Sequence, residues 1–239
     1  MSAKQKILVV LSGGMDSTTL LFHLLAEGHE VRGLGVDYGQ RHRRELDAAT
    51  LICSEAGIPY EIADLRALAP LMSGSALTDS KIAVPEGHYA ADNMKATVVP
   101  NRNMLLLSVA LARCVALDYD AVAYAAHAGD HTIYPDCRPE FAEAMEKAAH
   151  LCDYKQRGLL RPFVSWTKAD IAKRGGELGV PYGLTWTCYK GLDLHCGKCG
   201  TCVERIEAFR LAGVSDPTEY SVDPDEVMAN LPTAQPAVR

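Results

Sequence analysis

The segment that most restricts how this chain can fold is Ile7-Leu8-Val9-Val10-Leu11 followed by Ser12-Gly13-Gly14-Met15-Asp16-Ser17. A continuous apolar run, β-branched in part, predicts a strand buried on both faces, and such strands belong to parallel sheets covered by helices. The run stops at paired glycines, which let the backbone turn tightly and approach an anion closely. Thr18–Glu27 then reads as a helix, with Leu20, Leu21, Leu24 and Leu25 on one side and Gly28 as its stop. Strand, glycine turn and helix start together offer unpaired backbone N–H groups and the positive end of a helix dipole to phosphate oxygens. Ser12 and Ser17 add hydroxyl donors. Asp16 is at odds with phosphate unless a cation such as Mg²⁺ bridges the two. The loop is not a Walker motif, because no glycine–lysine pair follows, and its glycine spacing is not that of a dinucleotide fingerprint. A plain glycine turn capped by serine and aspartate is the competing reading.

The same strand–helix alternation continues. Val31–Val36 reads as a strand, Arg43–Ala56 as a helix with Leu46, Ala49 and Cys53 in register, and Pro59–Ala63 as a third strand. This rhythm predicts an α/β, doubly wound, mainly parallel sheet. Ala67–Ala96 reads as a long irregular loop, of the kind often used as a lid. Arg102–Leu117 is apolar nearly all round and is expected to be a buried helix. Ala121–Ala125 reads as a further strand, with His127–Arg138 as a loop at its carboxyl end. Pro139 suits the first turn of a helix carrying Phe141, Met145, Ala149 and Cys152. Thr167-Lys168-Ala169-Asp170 has the form of a capping box, opening a helix that ends near Gly179. Val203, Ile206 and Phe209 mark a last helix. A single domain over residues 1–239 is expected, with residues 217–239 as a flexible tail.

Charge and cysteine usage narrow the function classes. The formal net charge of -6 argues against a polynucleotide as the main partner, which usually leaves a basic footprint. Ile7–Leu11 is far too short for a membrane span or signal core, so the expectation is no membrane and a cytoplasmic location. In a reducing compartment a tight cysteine cluster points to metal rather than disulfides. Cys196-Gly197-Lys198-Cys199-Gly200-Thr201-Cys202 holds two C-x-x-C steps, with Cys188 shortly upstream. Four thiolates close a tetrahedral site and leave no open position, so a structural Zn²⁺ is expected over about residues 186–212, with an iron–sulfur cluster as the rival. Cys53, Cys114 and Cys152 read instead as core residues on helical apolar faces.

The six-residue loop string resembles the signature of the PP-loop, or N-type, ATP pyrophosphatases. Further strings are Asp37-Tyr38-Gly39-Gln40, Val99-Pro100-Asn101-Arg102-Asn103, Tyr134 through Phe141, and Leu184 through Lys190. Together with the loop they resemble the 7-cyano-7-deazaguanine synthases of queuosine biosynthesis, from about Ile7 to Cys202. The resemblance implies an adenine nucleotide alpha hydrolase-like fold and ATP as co-substrate with Mg²⁺. It implies that the loop and helix start, Leu11, Ser12, Gly13, Gly14, Met15, Asp16, Ser17, Thr18 and Thr19, bind the nucleotide; Asp37 is a further candidate for ribose or metal, with a strand-end turn cap as its competing reading, and Cys188, Cys196, Cys199 and Cys202 are the expected zinc ligands. It also implies a homodimer and two-stage chemistry, in which a 7-carboxy-7-deazaguanine acid is adenylated, aminated with ammonia to an amide, and activated again to a nitrile. Asp16, Arg102, Asp136 and Arg138 are the candidate catalytic residues: Arg102 and Arg138 as anion holders, Asp136 as reader of the guanine-like edge, with Asp130 and Glu140 as its competitors. A tRNA thiolation enzyme using Cys137, or a non-catalytic zinc-ribbon interaction protein, are the alternative functions.

Overall fold

A computed structural model describes residues 3–89 and 92–231. Its centre is a five-stranded, wholly parallel sheet. The strands are β1 (Lys6–Val10), β2 (Glu30–Asp37), β3 (Tyr60–Asp64), β4 (Ala121–Ala123) and β5 (Gly158–Leu160), in the spatial order β3-β2-β1-β4-β5. Side chains alternate across a strand, so β1 feeds two cores at once. Leu8, with Leu34 and Val122, joins one apolar cluster, while Ile7 and Val9, with Val31 and Ala123, join the other.

Helices α1 (Met15–Ala26), α2 (Arg44–Ala56), α3 (Arg102–Ala116), α4 (Pro139–Leu151) and α5 (Lys168–Leu178) cover both faces, while α6 (Gly200–Ala212) packs on α5 and α7 (Pro224–Asn230) on α6. Leu20, Leu21 and Leu24 of α1, Ala49 and Ile52 of α2 and Ile171 of α5 pack on one side, and Leu107, Ala110 and Leu111 of α3 with Met145 and Ala149 of α4 pack on the other. The doubly wound expectation and most element positions hold. Gly57 and Gly179 end α2 and α5 in the left-handed conformation, and Thr167 and Asp170 form the anticipated capping box.

Several details differ from expectation. Helix α1 begins at Met15 rather than Thr18, directly after the glycines. Strand β5 was not anticipated, because three residues are too few to show a period. Helix α3 is not buried all round: Met104, Ser108 and Ala112 are exposed, and Leu107, Ala110, Leu111 and Cys114 form its inner face. By composition Met94–Ala116 is long and apolar enough to cross a membrane, but it comprises a short 3-10 segment, a turn at the left-handed Asn101 and the 15-residue α3. Ala67–Ala96 is not structureless, as Arg66–Met72 and Asp92–Thr97 are 3-10 segments. Cys152 is exposed at the end of α4 rather than part of its apolar face. Within the expected tail, Tyr220 packs against the cysteine cluster and α7 follows, whereas residues 232–239 lie outside the described ones.

Candidate functional site

Strand order reverses at β1, with β2 on one side and β4 on the other, and an open parallel sheet forms its ligand crevice at the carboxyl ends of the strands at such a point. A cleft occurs there, bounded by Leu11 and Ser12 after β1, Tyr38 after β2, and Tyr124 and His127 after β4. Gly13 must be glycine for two reasons. Its φ is +88°, and a Cβ there would lie 2.1 Å from the Glu45 carbonyl oxygen and 2.6 Å from the Ala49 nitrogen. The loop is therefore clamped against α2. On its other side the Gly13 carbonyl accepts from the Trp186 N–H at 3.0 Å.

Helix α1 has no side-chain cap. The Ser12 hydroxyl accepts from Gly14 N–H at 3.3 Å and lies 3.1 Å from the Ser17 hydroxyl, and Ser17 donates to the Gly14 carbonyl at 3.3 Å. The first intrahelical bond is Thr18 N–H to Gly14 O. The N–H groups of the preceding turn are thus left toward the cleft, where the dipole favours an anion.

Asp16 already has a cation. Lys168 Nζ, at the start of α5, lies 3.0 Å from Asp16 Oδ2 and 2.8 Å from Glu204 Oε2 on α6. Burial works against the Lys168 ammonium, but the Asp16 and Glu204 carboxylates outweigh it and hold its pKa above the ordinary value. Burial also pushes Asp16 upward, yet Lys168 and then His127 bring it below the usual carboxylate range. Glu204 goes the other way: burial raises it against the pull of Lys168. His127 Nδ1 accepts from Gly129 N–H at 3.1 Å, which leaves Nε2 to face Asp16 and Asp130 at 3.8 and 3.6 Å. Tyr89 donates to Asp130 at 3.0 Å. Among the described residues Asp16 Oδ1 is buried without a hydrogen-bond partner, so this carboxylate keeps one oxygen for a further donor or cation.

Arg102 enters the cleft from the start of α3, with its guanidinium 5.7 Å from the centre of the Tyr134 ring. Glu45 enters from the first turn of α2, and burial, opposed by Arg102, pushes its carboxyl up to about 7.

Other expected residues stand elsewhere. Asp136 is committed to α3: its Oδ2 accepts the Asn103 N–H at 2.9 Å, satisfying a free donor of that helix start. The exposed Arg138 donates to the His131 carbonyl at 2.9 Å. Neither side chain lines the cleft. Asp37 is buried beside the cleft, where it accepts from Gly39 N–H at 3.2 Å and from Arg43 at 2.5 Å, the turn-capping arrangement. Thr18 and Thr19 point into the core rather than the cleft, and Thr19 lies 2.9 Å from the Tyr182 hydroxyl. Glu140 is exposed.

The sulfurs of Cys188, Cys196, Cys199 and Cys202 lie within 4.8 Å of one another and all four residues are buried. The Cys196 and Cys202 sulfurs are 4.0 Å apart, close to the ~3.8 Å that tetrahedral thiolates at a metal–sulfur distance of ~2.3 Å require. Backbone N–H groups of Cys196 and Cys199 point at neighbouring sulfurs, at 3.4 and 3.3 Å, as thiolate charge demands. The residues fit a closed metal site, and His195, whose Nε2 accepts from Thr187 N–H, is not one of its ligands. The cluster is joined to the cleft: Trp186, Thr187 and Thr201 line the cleft, and the fully buried Arg205 ties Thr185, Thr187 and the Tyr182 carbonyl to Asp216.

Sequence reasoning missed Lys168, His127, Glu204 and Glu45. Lys168 had a visible signal, a lysine in the first turn of a helix, where the helix dipole disfavours a cation. The others are single residues whose meaning depends on packing.

A family model described as "Queuosine biosynthesis protein QueC" matches residues 6–213. The 7-cyano-7-deazaguanine synthase of Marinobacter nauticus is 53% identical over 90% of this chain and 96% of its own length. That of Caldicellulosiruptor bescii is 53% identical over 92% of this chain and 99% of its own. The solved structure of an NMN synthetase from Francisella tularensis overlays 90% of this chain and 79% of that one, at 12% identity and a TM-score of 0.49.

Proposed function

The chain belongs to the QueC family of queuosine-biosynthesis proteins, and on that footing we propose that it converts 7-carboxy-7-deazaguanine, ammonia and ATP to 7-cyano-7-deazaguanine. The acid's carboxylate oxygen attacks the α-phosphorus of ATP and diphosphate leaves. Ammonia then attacks the acyl carbon, AMP departs, and an amide remains. The amide oxygen attacks a second ATP, again releasing diphosphate, and loss of AMP and a proton leaves the nitrile. Adenylation is what the chemistry needs, because a bare carboxylate or amide oxygen is a poor leaving group.

The observation that carries this reading is the uncapped start of α1 opening into the cleft beside the buried Asp16–Lys168 pair. The N–H groups of Met15, Asp16 and Ser17, with the hydroxyls of Ser12 and Ser17, are placed to receive the departing diphosphate, and donors fixed in advance act without reorganising. Leu11 and Val36 supply apolar wall on the strand side for the nucleotide. Lys168 balances charge as diphosphate separates, and His127, with its Nε2 proton directed at carboxylates, holds Asp16 in place. Mg²⁺ accompanying the nucleotide would find its protein ligand in Asp16 Oδ1 and would offset phosphate charge. Arg102 is the guanidinium on the substrate side of the cleft. Zinc would be held by Cys188, Cys196, Cys199 and Cys202 and would have a structural role, fixing Trp186 and Thr187 against the loop. We further propose a cytoplasmic homodimer, the state that sedimentation should report.

Sulfur transfer to tRNA is the weaker reading. Cys137 is buried, accepts from the Asn103 amide at 3.1 Å, and burial pushes its thiol upward, away from a reactive thiolate. Asp16→Asn tests the proposal. With the fold retained, it should lose diphosphate release from ATP in the presence of the acid, and full retention would remove the loop from the reaction.

A further inference from the structure

Three carboxylates line the cleft: Asp16, Glu45 and Asp130. Asp16 is held by Lys168, and Asp130 by the Tyr89 hydroxyl and His127. Glu45 differs, since no donor hydrogen-bonds to its carboxyl among the described residues, and the charge that opposes the effect of its burial is that of Arg102, which lines the same cleft from the start of α3. A partly buried carboxylate without donors is costly unless a ligand supplies them.

We propose that Glu45 and Arg102 together read the purine-like edge of the substrate: the Glu45 carboxylate accepts from the ring N1–H and the exocyclic amine, while Arg102 donates to the neighbouring ring carbonyl. The inference rests on the reading above that the acid carries a guanine-type ring. Such an edge runs acceptor, donor, donor. A guanidinium beside a carboxylate presents donor, acceptor, acceptor, its complement. An adenine edge runs donor, acceptor, so its ring nitrogen lone pair would face a carboxylate oxygen. The pair therefore rejects the adenine of ATP and leaves that base to another part of the cleft. Tyr38, Tyr134 and Tyr189 stand around Arg102 and supply flat walls for a ring. The Glu45 backbone also abuts Gly13 of the loop, so a ring held by Glu45 lies beside the start of α1, where its carboxyl group must meet the α-phosphorus. The upward shift of the Glu45 carboxyl to about 7 agrees with a group short of donors. Asp136, which the sequence suggests for this task, lies outside the cleft and accepts from the start of α3.

The test compares 7-carboxy-7-deazaguanine with its analogue lacking the 2-amine, at saturating ATP, in the wild type, Glu45→Gln and Glu45→Asp. The wild type should prefer the amine-bearing acid by about 100-fold in kcat/KM, the effect of losing a hydrogen bond to a buried charge. Glu45→Gln should lose most of that preference through KM for the acid, with KM for ATP little changed, and Glu45→Asp should restore part of it. A merely structural role would move both substrates' constants and the thermal midpoint together. A folded Glu45→Gln that keeps the wild-type preference overturns the inference. So does a wild type that does not discriminate, whatever the variants do. A wild type that converts neither acid brings down the functional reading and this inference with it.

Discussion

The cleft and the cysteine cluster lie side by side, share Trp186, Thr187 and Thr201 as a wall, and follow opposite designs. The cluster is closed: four buried sulfurs converge from one short segment, and backbone N–H groups turn onto them. The cleft is unfinished. Its residues come from the ends of β1, β2 and β4 and the starts of α1, α2, α3 and α5, and among the described residues it keeps an unpaired carboxylate oxygen on Asp16 and a Glu45 carboxyl to which no side chain or backbone group donates. Completed valence makes a support, and unsatisfied groups on rigid elements make a site. The difference gives a rule for mutation: damage to the cluster should appear first as lost fold, and damage to the cleft as lost turnover.

The largest effect is expected from Cys199→Ser or from stripping the metal. Structural zinc binding amounts to roughly 10 kcal/mol or more, comparable to a whole domain's stability. The variant should lose its cooperative thermal transition and its stoichiometric zinc, and a wild-type midpoint would break the comparison at once. Lys168→Met comes next and tests the boundary between the two regions. It leaves Asp16 and Glu204 buried without their cation, and stability should fall by about 3–5 kcal/mol in denaturant unfolding, together with activity. Asp16→Asn keeps shape and removes charge, so turnover should drop by about 10²–10³-fold with only a small shift in midpoint.

A pH profile sharpens the contrast inside the cleft. Glu45, faced by Arg102 and by the tyrosines Tyr38, Tyr60 and Tyr189, is protonated below about 7. The protonated form cannot accept twice, so kcat/KM for the acid should fall by about tenfold per pH unit below that point and level off above it. Glu45→Gln should lack this limb. The smallest effect belongs to Asp136→Ala, which removes a helix-start acceptor: a loss of about 1 kcal/mol with nearly unchanged turnover. A large loss of turnover in that variant would return Asp136 to the reaction.

Much of this was readable from the sequence, and the reasons are local. The buried β1 run, the glycines after it, the capping box at Thr167 and the paired C-x-x-C steps each act over a few residues, where spacing determines geometry. The family resemblance was readable for the same reason, since it lives in contiguous strings. What escaped was long-range. Lys168 meets Asp16 and Glu204 only because α5 and α6 pack beside α1, and no spacing along the chain announces that meeting. Asp136 has the chemistry of an edge reader, but the fold brings it against the start of α3, thirty-three residues away in the chain, where the N–H of Asn103 claims one of its oxygens. Glu45 looks on paper like an ordinary first-turn glutamate favoured by the helix dipole. Its meaning comes from the burial and from the arginine opposite, both tertiary facts. The over-buried reading of α3 failed similarly, because an apolar composition does not say which face meets a neighbour.

The most direct test is to incubate the purified protein with ATP, ammonium and 7-carboxy-7-deazaguanine and follow all products by mass spectrometry. The account predicts 7-cyano-7-deazaguanine with AMP and diphosphate, through the amide, and no AMP when the acid is omitted. ADP and phosphate in place of AMP and diphosphate, or an acid left unchanged by a folded, zinc-loaded protein, would contradict it.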